Sequence, residues 1–561
     1  MMWSEGFIHP TFILFFGCLV LPLISKKAQG LFLPLFPLCA LWICWYSPLN
    51  HGVQIEFLQY QLSIFEVDRL SRIFGIIFSL VAFIVGIFAG HLKDTRQHIA
   101  SLIYAGSALG VVFAGDWISL FVFWELMAVS STGLIWTRKS QTSDVGLRYL
   151  LIHLLGGSVL LAGILWHVHD SENIMIHSLK SDQFSSWLII TGIALNAAIP
   201  PLHAWLSDAY PRATITGAIF LSALTTKSAV YLLVRVAPGW EILIILGVIM
   251  AIYGVVFAVL ANDIREILSY HIISQVGYML VGIGIGTQLS INGTVAHAFS
   301  HILYKSLLFM GTGVVLKTTG KSHLTELGGL FKVMPLTFFL YMVGAFSISG
   351  FPLFNGFISK SMIVSAASEE NFQVVFIFLI LASVGTFLHT GLKLPYYTWF
   401  GSNRGIQAFL PPLNMHIAMG LIAFFCILFG VVPSILYELL PYPVEYKPYT
   451  IPHLVKSIQL LSATFLGFWW YRSVLGGEAT ITLDTDWLYR KMFRGLSHRL
   501  VLEVRKHFDI AELYLLNMSK GLTLFLRNPS YDTQFVGPRL EVAGSLILLS
   551  FILFLATTIL K

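Results

Sequence analysis

Two short stretches interrupt long apolar runs, and they decide what fold this sequence can adopt. Residues 196–201 read Asn-Ala-Ala-Ile-Pro-Pro, and residues 349–356 read Ser-Gly-Phe-Pro-Leu-Phe-Asn-Gly. Proline removes a backbone donor and clashes with the preceding turn, so both stretches interrupt a helix. Within lipid, such a break survives only where it is buried in protein or lines a wet cavity. Both stretches therefore predict an unwound segment inside a polytopic helical membrane protein.

The composition supports a membrane protein and excludes a soluble enzyme with small appendages. Hydrophobic residues make up 56% of the 561 residues and charged residues 11%, against about 45–50% and about 25% in globular proteins. A span needs about 20 apolar residues, so about fifteen spans would occupy a little over half of the chain. The net charge of +6 is scattered through loops, which is not a nucleic-acid signature. We therefore expect an all-α polytopic membrane protein with no nucleic-acid partner.

Apolar runs long enough to be spans recur along the chain, and the charges between them test their number. Alternate connections carry bases such as Lys26, Arg138 and Lys393, whereas the opposite connections carry acids such as Glu66 and Glu369. This positive-inside alternation predicts an outward N-terminus and basic cytoplasmic loops. The expected location is the inner (plasma) membrane of a bacterial cell. The expected spans are 8–25, 30–48, 69–90, 98–115, 117–137, 147–168, 186–205, 214–236, 239–261, 267–287, 292–316, 335–366, 372–395, 411–435, 451–471 and 541–560.

The two breaks lie five spans apart, so the helices that carry them should cross the membrane in opposite directions. This arrangement predicts two inverted five-helix repeats with ion sites at the unwound segments. Ordinary proline kinks in transmembrane helices are the alternative. The expected domains are N-terminal transmembrane helices at 1–97, a first repeat at 98–236, a second repeat at 237–400, C-terminal transmembrane helices at 401–475, a cytoplasmic amphipathic segment at 476–540 and a final transmembrane anchor at 541–561.

Ionisable side chains lie deep inside the apolar runs, where charge is costly. They are Glu125, Lys227, Lys305 and Lys360. A charge at the centre of a span costs about 2.5–3.5 kcal/mol, and four of them together approach the stability of a typical fold, about 5–15 kcal/mol. These groups must therefore be paired, hydrated or neutral, and such residues mark ion pathways and proton relays. For Glu125 the alternative is a static ion pair with Arg148 or with a lysine.

His297, His301 and Lys305 follow one another at intervals of four residues. On a helix each is rotated by about 40° from the one before, so they form a slanted stripe about 12 Å long. Imidazole titrates near neutral pH, and a stripe of imidazoles that ends in a lysine suits a proton relay. The alternative is hydrogen bonding between helices by the histidines, with Lys305 extending to an interface.

Neither a metal nor a cofactor is expected in this chain. Cys18, Cys39, Cys44 and Cys426 all lie inside hydrophobic runs without Cys-x-x-Cys spacing, which argues against an iron–sulfur cluster and against structural zinc. The Gly-Ile-Gly-Ile-Gly sequence at 282–286 ends an apolar run and lacks the strand-to-helix context of a nucleotide loop. It favours close helix packing instead.

Seven stretches form a characteristic set of motifs, namely Phe123–Leu126, Pro201–Leu206, Asp208–Tyr210, Thr226–Arg235, Asp263–Tyr278, His297–Phe309 and Gly350–Lys360. This set resembles the antiporter-like subunit family, which Mrp-type Na+/H+ antiporters, membrane-bound hydrogenases and respiratory complex I share. The motifs cover roughly residues 100–400 and are highly specific as a set. Residues 484–490, near the C-terminal end of the chain, resemble the D-subunit branch of the Mrp group more weakly.

The resemblance implies about fourteen core transmembrane helices in two inverted halves, C-terminal extra helices and a hydrated central axis of charged residues. The residues to which it assigns proton transfer are Glu125 on the fifth helix, Lys227 on the eighth, Lys305 on the eleventh and Lys360 on the broken twelfth. The expected supporting proton path consists of Arg148, Asn196, His203, His297 and His301.

Asn196 departs from the family pattern. The family usually has a lysine five residues before Pro201, and that lysine partners the fifth-helix glutamate. Asparagine cannot titrate. We therefore expect either that Glu125 exchanges through water between Arg148 and Lys227, or that the first half-channel is weakened.

These observations lead to a proton-translocating subunit of a multi-subunit monovalent cation/proton antiporter, which works with other membrane subunits in the bilayer. One alternative is the proton-pumping arm of a complex I-like NADH/quinone oxidoreductase or of a membrane-bound hydrogenase. Another is the energising partner of an inorganic carbon transporter. H+ is the expected ion, because no acidic cluster makes an obvious Na+ cage, and exchange of Na+ or K+ stays open. Segment 476–540 could lie on the membrane surface or contact a partner.

Overall fold

The computed structural model describes residues 9–138 and 142–476, with the isolated positions 484, 485, 487, 503 and 506. The chain divides into two compact units after residue 482, and the predicted segments 476–540 and 541–561 lie almost entirely outside the described residues. The N-terminal elements are α1 (Pro10–Val20), α2 (Gln29–Phe32), α3 (Leu35–Tyr46), β1 (His51–Phe57), β2 (Tyr60–Val67) and α4 (Arg69–Phe88).

The strands β1 and β2 form an antiparallel hairpin that the apolar runs do not predict. They pair from His51 with Val67 to Phe57 with Tyr60. Their residues largely alternate between apolar and polar, which is the period of a strand, and each strand is too short to span the membrane as a helix. Phe65 is fully buried on one face of β2. The helical architecture is confirmed, with this hairpin as an addition at one membrane face.

Two successive groups of helices and a C-terminal group complete the fold. The first group is α5 (Thr95–Phe113), α6 (Trp117–Trp136), α7 (Ser143–Ser171), α8 (Phe184–Asn196), α9 (Ala204–Ala209), α10 (Ile215–Ala223) and α11 (Thr225–Val236). The second group is α12 (Ile242–Leu260), α13 (Ile264–Ile285), α14 (Gln288–Thr319), α15 (Pro335–Ser349), α16 (Asn355–Glu369) and α17 (Gln373–Thr386). The C-terminal group is α18 (Leu413–Val431), α19 (Pro433–Tyr437) and α20 (Ile451–Tyr471).

Both predicted breaks are confirmed, the first between α8 and α9 and the second between α15 and α16. Gly350, with φ of +71°, ends α15 in a conformation that glycine adopts without strain. Two further interruptions lie outside the predicted breaks. The first carries no proline signal, and Pro395 lies in the second. Leu224 separates α10 from α11 inside a span predicted to be continuous at 214–236. Beyond α17, two π-helical segments at Phe387–Lys393 and Tyr396–Phe400 continue the same span.

A backbone bridge occurs at the same place in both groups, which supports the predicted inverted repeat. Asp116, the N-cap of α6, pairs antiparallel with Met175 after α7. Asp263, the N-cap of α13, pairs in the same way with His323 after α14. Because α6 and α13 lie an odd number of crossings apart, the two bridges belong to opposite membrane faces. The domain boundaries themselves stay a prediction.

Contacts between connections agree with the predicted order of crossings. Arg138 and Arg265 each donate from Nη1 to the carbonyl of Pro211, at 3.0 and 2.9 Å. Arg235 pairs with Asp68 at 2.8 Å, and both lie at the other ends of their helices. We name the first side the basic face and the second the opposite face. One crossing more or fewer would place these partners on different sides of the membrane.

The chain is a multi-pass membrane protein. Ten helical segments among the described residues are long and apolar enough to cross a membrane. The α10–α11 pair, α13 and α14 are 94–100% buried over these apolar windows, whereas α7, α12 and the span that begins with α17 are 39% buried. The former therefore form the centre, and the latter present apolar surface to lipid or to other subunits.

Candidate functional site

Lys227 lies just after the interruption at Leu224 and is fully buried. Its Nζ donates to the carbonyl oxygen of Ser222 at 2.7 Å and to the hydroxyl of Thr226 at 2.9 Å. Carbonyl groups at the end of a helix lack intrahelical partners. The ammonium group therefore binds the backbone at the point where the helix has opened, and it does not extend to a membrane interface.

Lys305 lies within α14 and is also fully buried. Its Nζ has no hydrogen-bond partner among the described residues, and the ring centre of Phe309 lies 5.8 Å from it. Lys305 and Lys227 interact electrostatically. Because an isolated buried ammonium is very costly, Lys305 requires water or a proton acceptor around it. Its burial contradicts the alternative in which the side chain extends to an interface.

The two histidines of the predicted stripe lie on the same helix as Lys305 and are fully buried. Nδ1 of His297 lies 3.2 Å from the hydroxyl oxygen of Ser359 on α16. The ring centres of His297 and His301 are 6.4 Å apart, too far for direct proton transfer but within reach of a bridging water. Neither ring nitrogen of His301 has a described partner, and this ring interacts electrostatically with Lys227, Lys305 and Lys360.

Lys360 lies one turn into α16, just after the second break. Its Nζ donates to the carbonyl oxygen of Ile348 at 2.8 Å, near the C-terminal end of α15, and lies 5.0 Å from the ring centre of Tyr278. A cation is favourable at a helix C-terminus, where carbonyl groups remain unpaired. Lys360 and Lys227 thus use the same arrangement, an ammonium bound to a carbonyl at the end of a half-helix.

A cavity of about 230 Å³ adjoins Lys360. It runs between α16, α17 and α20 from the second break towards the opposite face, because its lining extends from Lys360 to Ser368 along α16 and reaches His453 near the start of α20. The volume holds several water molecules. Its hydroxyl-bearing side chains are Ser349, Ser361, Ser365, Ser368, Ser383, Ser457 and Thr464.

Glu125 is half-buried on α6, and its Oε1 has no hydrogen-bond partner among the described residues. A Cβ built on Gly157 of α7 would lie only 1.6 Å from this oxygen, so the carboxylate occupies the space that a glycine leaves open. The sequence-based alternative of an ion pair between Glu125 and Arg148 is wrong. Arg148 instead donates to Asp208 of α9, from Nε to Oδ2 at 2.9 Å and from Nη2 to Oδ1 at 3.2 Å. Two such parallel contacts match a guanidinium to a carboxylate.

Asn196 and His203 flank the first break, as predicted. Asn196 ends α8 and is almost fully buried, and neither atom of its amide group has a hydrogen-bond partner among the described residues. His203 precedes α9, and its ring packs edge-on against Tyr253, with the ring centres 4.5 Å apart. The first break therefore presents a neutral amide where the second presents Lys360.

Three buried polar residues of the second repeat are absent from the sequence-based set. His271 on α13 and His389 in the first π-helical segment have ring centres 5.8 Å apart, and His271 interacts electrostatically with Lys305 and Lys360. Lys393, predicted as a loop cation, is instead 98% buried in that segment. The sequence signal for His389 and Lys393 is a histidine and a lysine four residues apart within the apolar run 372–395.

The predicted residues thus divide into one connected set and several separate ones. Lys227, His301, Lys305, His297 and Lys360 are all buried, and His301 interacts electrostatically with each of the other four. Glu125, Arg148, Asn196 and His203 lie around the first break and on its neighbouring helices, without a described direct contact to that series.

Comparisons with known proteins agree with this architecture. The family profile described as NADH:quinone oxidoreductase/Mrp antiporter, transmembrane, matches residues 114–388. An uncharacterized protein of Methanocaldococcus jannaschii is 33% identical over 320 residues, which cover 53% of this chain and 66% of that protein. Na+/H+ antiporter subunit A1 of Staphylococcus haemolyticus is 30% identical over 421 residues, which cover 66% of this chain and 52% of the subunit. The chain thus spans about half the length of this antiporter subunit.

Solved structures show the same fold. A chain of the Mrp complex from a Dietzia species superposes with a TM-score of 0.76 at 22% identity, covering 94% of this chain and 64% of that one. A chain of respiratory complex I from Thermus thermophilus superposes with a TM-score of 0.66 at 20% identity, covering 77% of this chain and 99% of that one. The D-subunit branch suggested by residues 484–490 stays a prediction. Residues 114–388 match the transmembrane domain common to NADH:quinone oxidoreductases and Mrp antiporters, and the chain has the fold of subunits from both kinds of complex.

Proposed function

We propose that this chain translocates H+ within a multi-subunit monovalent cation/proton antiporter. One observation carries the proposal, namely the set of lysines and histidines, each at least 95% buried, that lies at and between two broken helices. No hydrogen bond described for Lys227, Lys305 or Lys360 goes to a carboxylate. A static salt-bridge network therefore does not account for these lysines, and sites that gain and release protons do.

The order in which the buried lysines gain and release protons depends on the groups that each lysine ammonium binds. Lys227 and Lys360 in the charged form are held by carbonyl groups at half-helix ends, whereas Nζ of Lys305 has no described hydrogen-bond partner. A proton on Lys305 repels protons on its neighbours, so occupancy alternates along the series. His301 and His297 lie between the lysines and transfer protons through bridging water. Each charge moved across the membrane corresponds to about 2.3 kcal/mol per 100 mV.

The cavity beside Lys360 serves as the outlet of this pathway towards the opposite face. Its lining alternates hydroxyl groups and apolar side chains, and it ends beside His453 and Lys456. Hydroxyl groups support a chain of water molecules, because each can both donate and accept a hydrogen bond. The two lysines of the lining disfavour metal cations, which suits a path for protons.

In the first repeat, Glu125 exchanges protons through water with Lys227. Arg148 is held by Asp208, so it is not available as the exchange partner. Asn196 cannot titrate, and its buried amide group instead orients water between Glu125 and the axis. This repeat therefore has a weaker connection than the second, which has a lysine at its break.

We further propose that the chain works with other membrane subunits in the plasma membrane of a bacterial cell, with its basic face in the cytoplasm. Large apolar side chains remain exposed on α7, α12 and α20, and such surfaces fit lipid or neighbouring subunits. The basic loops give the orientation by the positive-inside rule. The matched Mrp complex and complex I are multi-subunit assemblies.

Vesicles that contain the intact complex test this function. Imposing a Na+ or K+ gradient without an electron donor should move protons in the opposite direction, and Lys305→Met should abolish this movement. Lys317→Met is the matched control, because Lys317 lies on the same helix but is exposed at the basic face. Proton movement that requires an electron donor would instead favour the second candidate, a redox-driven proton pump, for which the fold match to complex I is the supporting observation.

A further inference from the structure

His271, His389 and Lys393 lie outside the pathway described so far, on the side of the second repeat nearer the basic face. All three side chains are at least 98% buried. α13 begins at the basic face, and His271 lies two turns into it. The span that contains His389 and Lys393 ends at the same face after Phe400. The three residues therefore lie between the central lysines and the basic face.

The backbone that carries His389 and Lys393 is π-helical over Phe387–Lys393. π-Helical turns are rare, well under 1% of residues, and are frequent at functional sites. Lys393 donates from Nζ to the carbonyl oxygen of Val259 at 2.7 Å, within the last turn of α12. This contact fixes the π-helical segment to a neighbouring helix end, which makes Lys393 a positioning residue.

Several polar atoms around His389 have no hydrogen-bond partner among the described residues. Both ring nitrogens of His271 and of His389 are among them, as are Oε1 of Gln275 and Oγ1 of Thr390. Buried polar atoms in proteins are nearly always paired, with protein or with ordered water. A cluster of this size therefore marks a site that water molecules fill, since each buried water typically makes about three hydrogen bonds.

We propose that His271 and His389 form a second proton branch, which joins Lys305 and Lys360 to the basic face. In each transfer a neutral imidazole accepts a proton on one nitrogen and releases the proton of its other nitrogen, so the ring ends neutral with its tautomer exchanged. The groups that face this branch are Lys305 and Lys360 at its inner end and Lys393 at its outer end. The branch rests on the proposed function, and it gives the second repeat an inlet that does not depend on Asn196.

Proton movement by the intact complex in vesicles tests the branch. His389→Gln keeps a polar side chain but cannot relay protons, and we expect its initial rate to fall by about ten-fold or more, as for loss of a proton-transfer group. His153→Gln is the matched control, because His153 is equally buried but binds the carbonyl of Tyr149 in the first repeat. Lys393→Arg should retain more activity than Lys393→Met, because only the former keeps a donor for Val259.

Chemical rescue with imidazole distinguishes a proton-relay role of His389 from a packing role. Imidazole added to His389→Ala vesicles should restore proton movement, whereas imidazole should not restore it in Lys305→Ala. Full activity of His389→Gln together with a loss in Lys305→Ala would overturn the branch and leave the proposed function standing. Full activity of Lys305→Ala would overturn both. If His389→Ala does not assemble, the comparison of His389→Gln with His153→Gln decides the question.

Discussion

The contact between Glu125 and Gly157 offers the sharpest perturbation of the first repeat. A Cβ built on Gly157 would lie 1.6 Å from Oε1 of Glu125, whereas real Cβ contacts essentially never fall below 3.0 Å. In Gly157→Ala the carboxylate must therefore withdraw by about 1.4 Å, which a flexible side chain achieves by changing its rotamer. Alanine is also the better helix former, by about 0.5–1 kcal/mol. We expect a variant that folds as stably as the wild type and misplaces its carboxylate.

A misplacement of about 1 Å can lower the rate of an oriented reaction about 100-fold. We therefore expect Gly157→Ala to lower the initial rate of proton movement by about 10- to 100-fold, measured with a pH-sensitive dye in vesicles that contain the intact complex. Gly156→Ala is the matched control, because its Cβ would meet only side-chain atoms of Leu195, at 3.2 Å. Wild-type rates in Gly157→Ala would show that the position of the Glu125 carboxylate does not limit proton movement, and an equal loss in both variants would show a packing defect instead.

Three further changes probe the fold, the first break and the outlet. Asp208→Asn removes the carboxylate that holds Arg148. Because the Arg148 guanidinium is partly exposed, we expect the free energy of unfolding to fall by about 1–3 kcal/mol. The loss should appear as a lower Tm in detergent. Asn196→Lys places a titratable group at the first break and should raise the rate of proton movement, whereas Asn196→Ala should lower it. Equal rates in the wild type and both variants would show that Asn196 does not lie on the proton path. Ser457→Leu fills the cavity beside Lys360 and should slow proton movement, whereas the exposed Ile458→Leu should not; a normal rate in Ser457→Leu would mean that protons leave elsewhere.

The breaks and the buried lysines could be predicted from the sequence because their signals are local. Proline and glycine mark an unwound segment wherever it lies, and an ionisable side chain within an apolar run is costly whatever surrounds it. The break at Leu224 has no such signal. It forms where α10 and α11 meet the buried centre of the protein, and Lys227 stabilises it by binding the carbonyl of Ser222.

The pairing of side chains and the position of Lys393 within the protein could not be predicted from the sequence, because both depend on contacts between residues distant in sequence. Arg148 and Asp208 are 60 residues apart, and hydropathy contains no information about which carboxylate an arginine will meet. Lys393 was assigned to a loop because it lies at the end of an apolar run, and only the π-helical continuation to Phe400 places it inside the protein. The hairpin of β1 and β2 alternates polarity over runs too short to stand out beside the spans.

Proton flux through the intact complex measures whether hydrogen ions pass between titratable side chains in the middle of the membrane. Flux should be recorded in vesicles for Glu125→Gln and for Lys305→Ala separately, at equal amounts of assembled complex. We expect each substitution to reduce the flux to a small fraction of the wild-type value. Undiminished flux in both variants would contradict it.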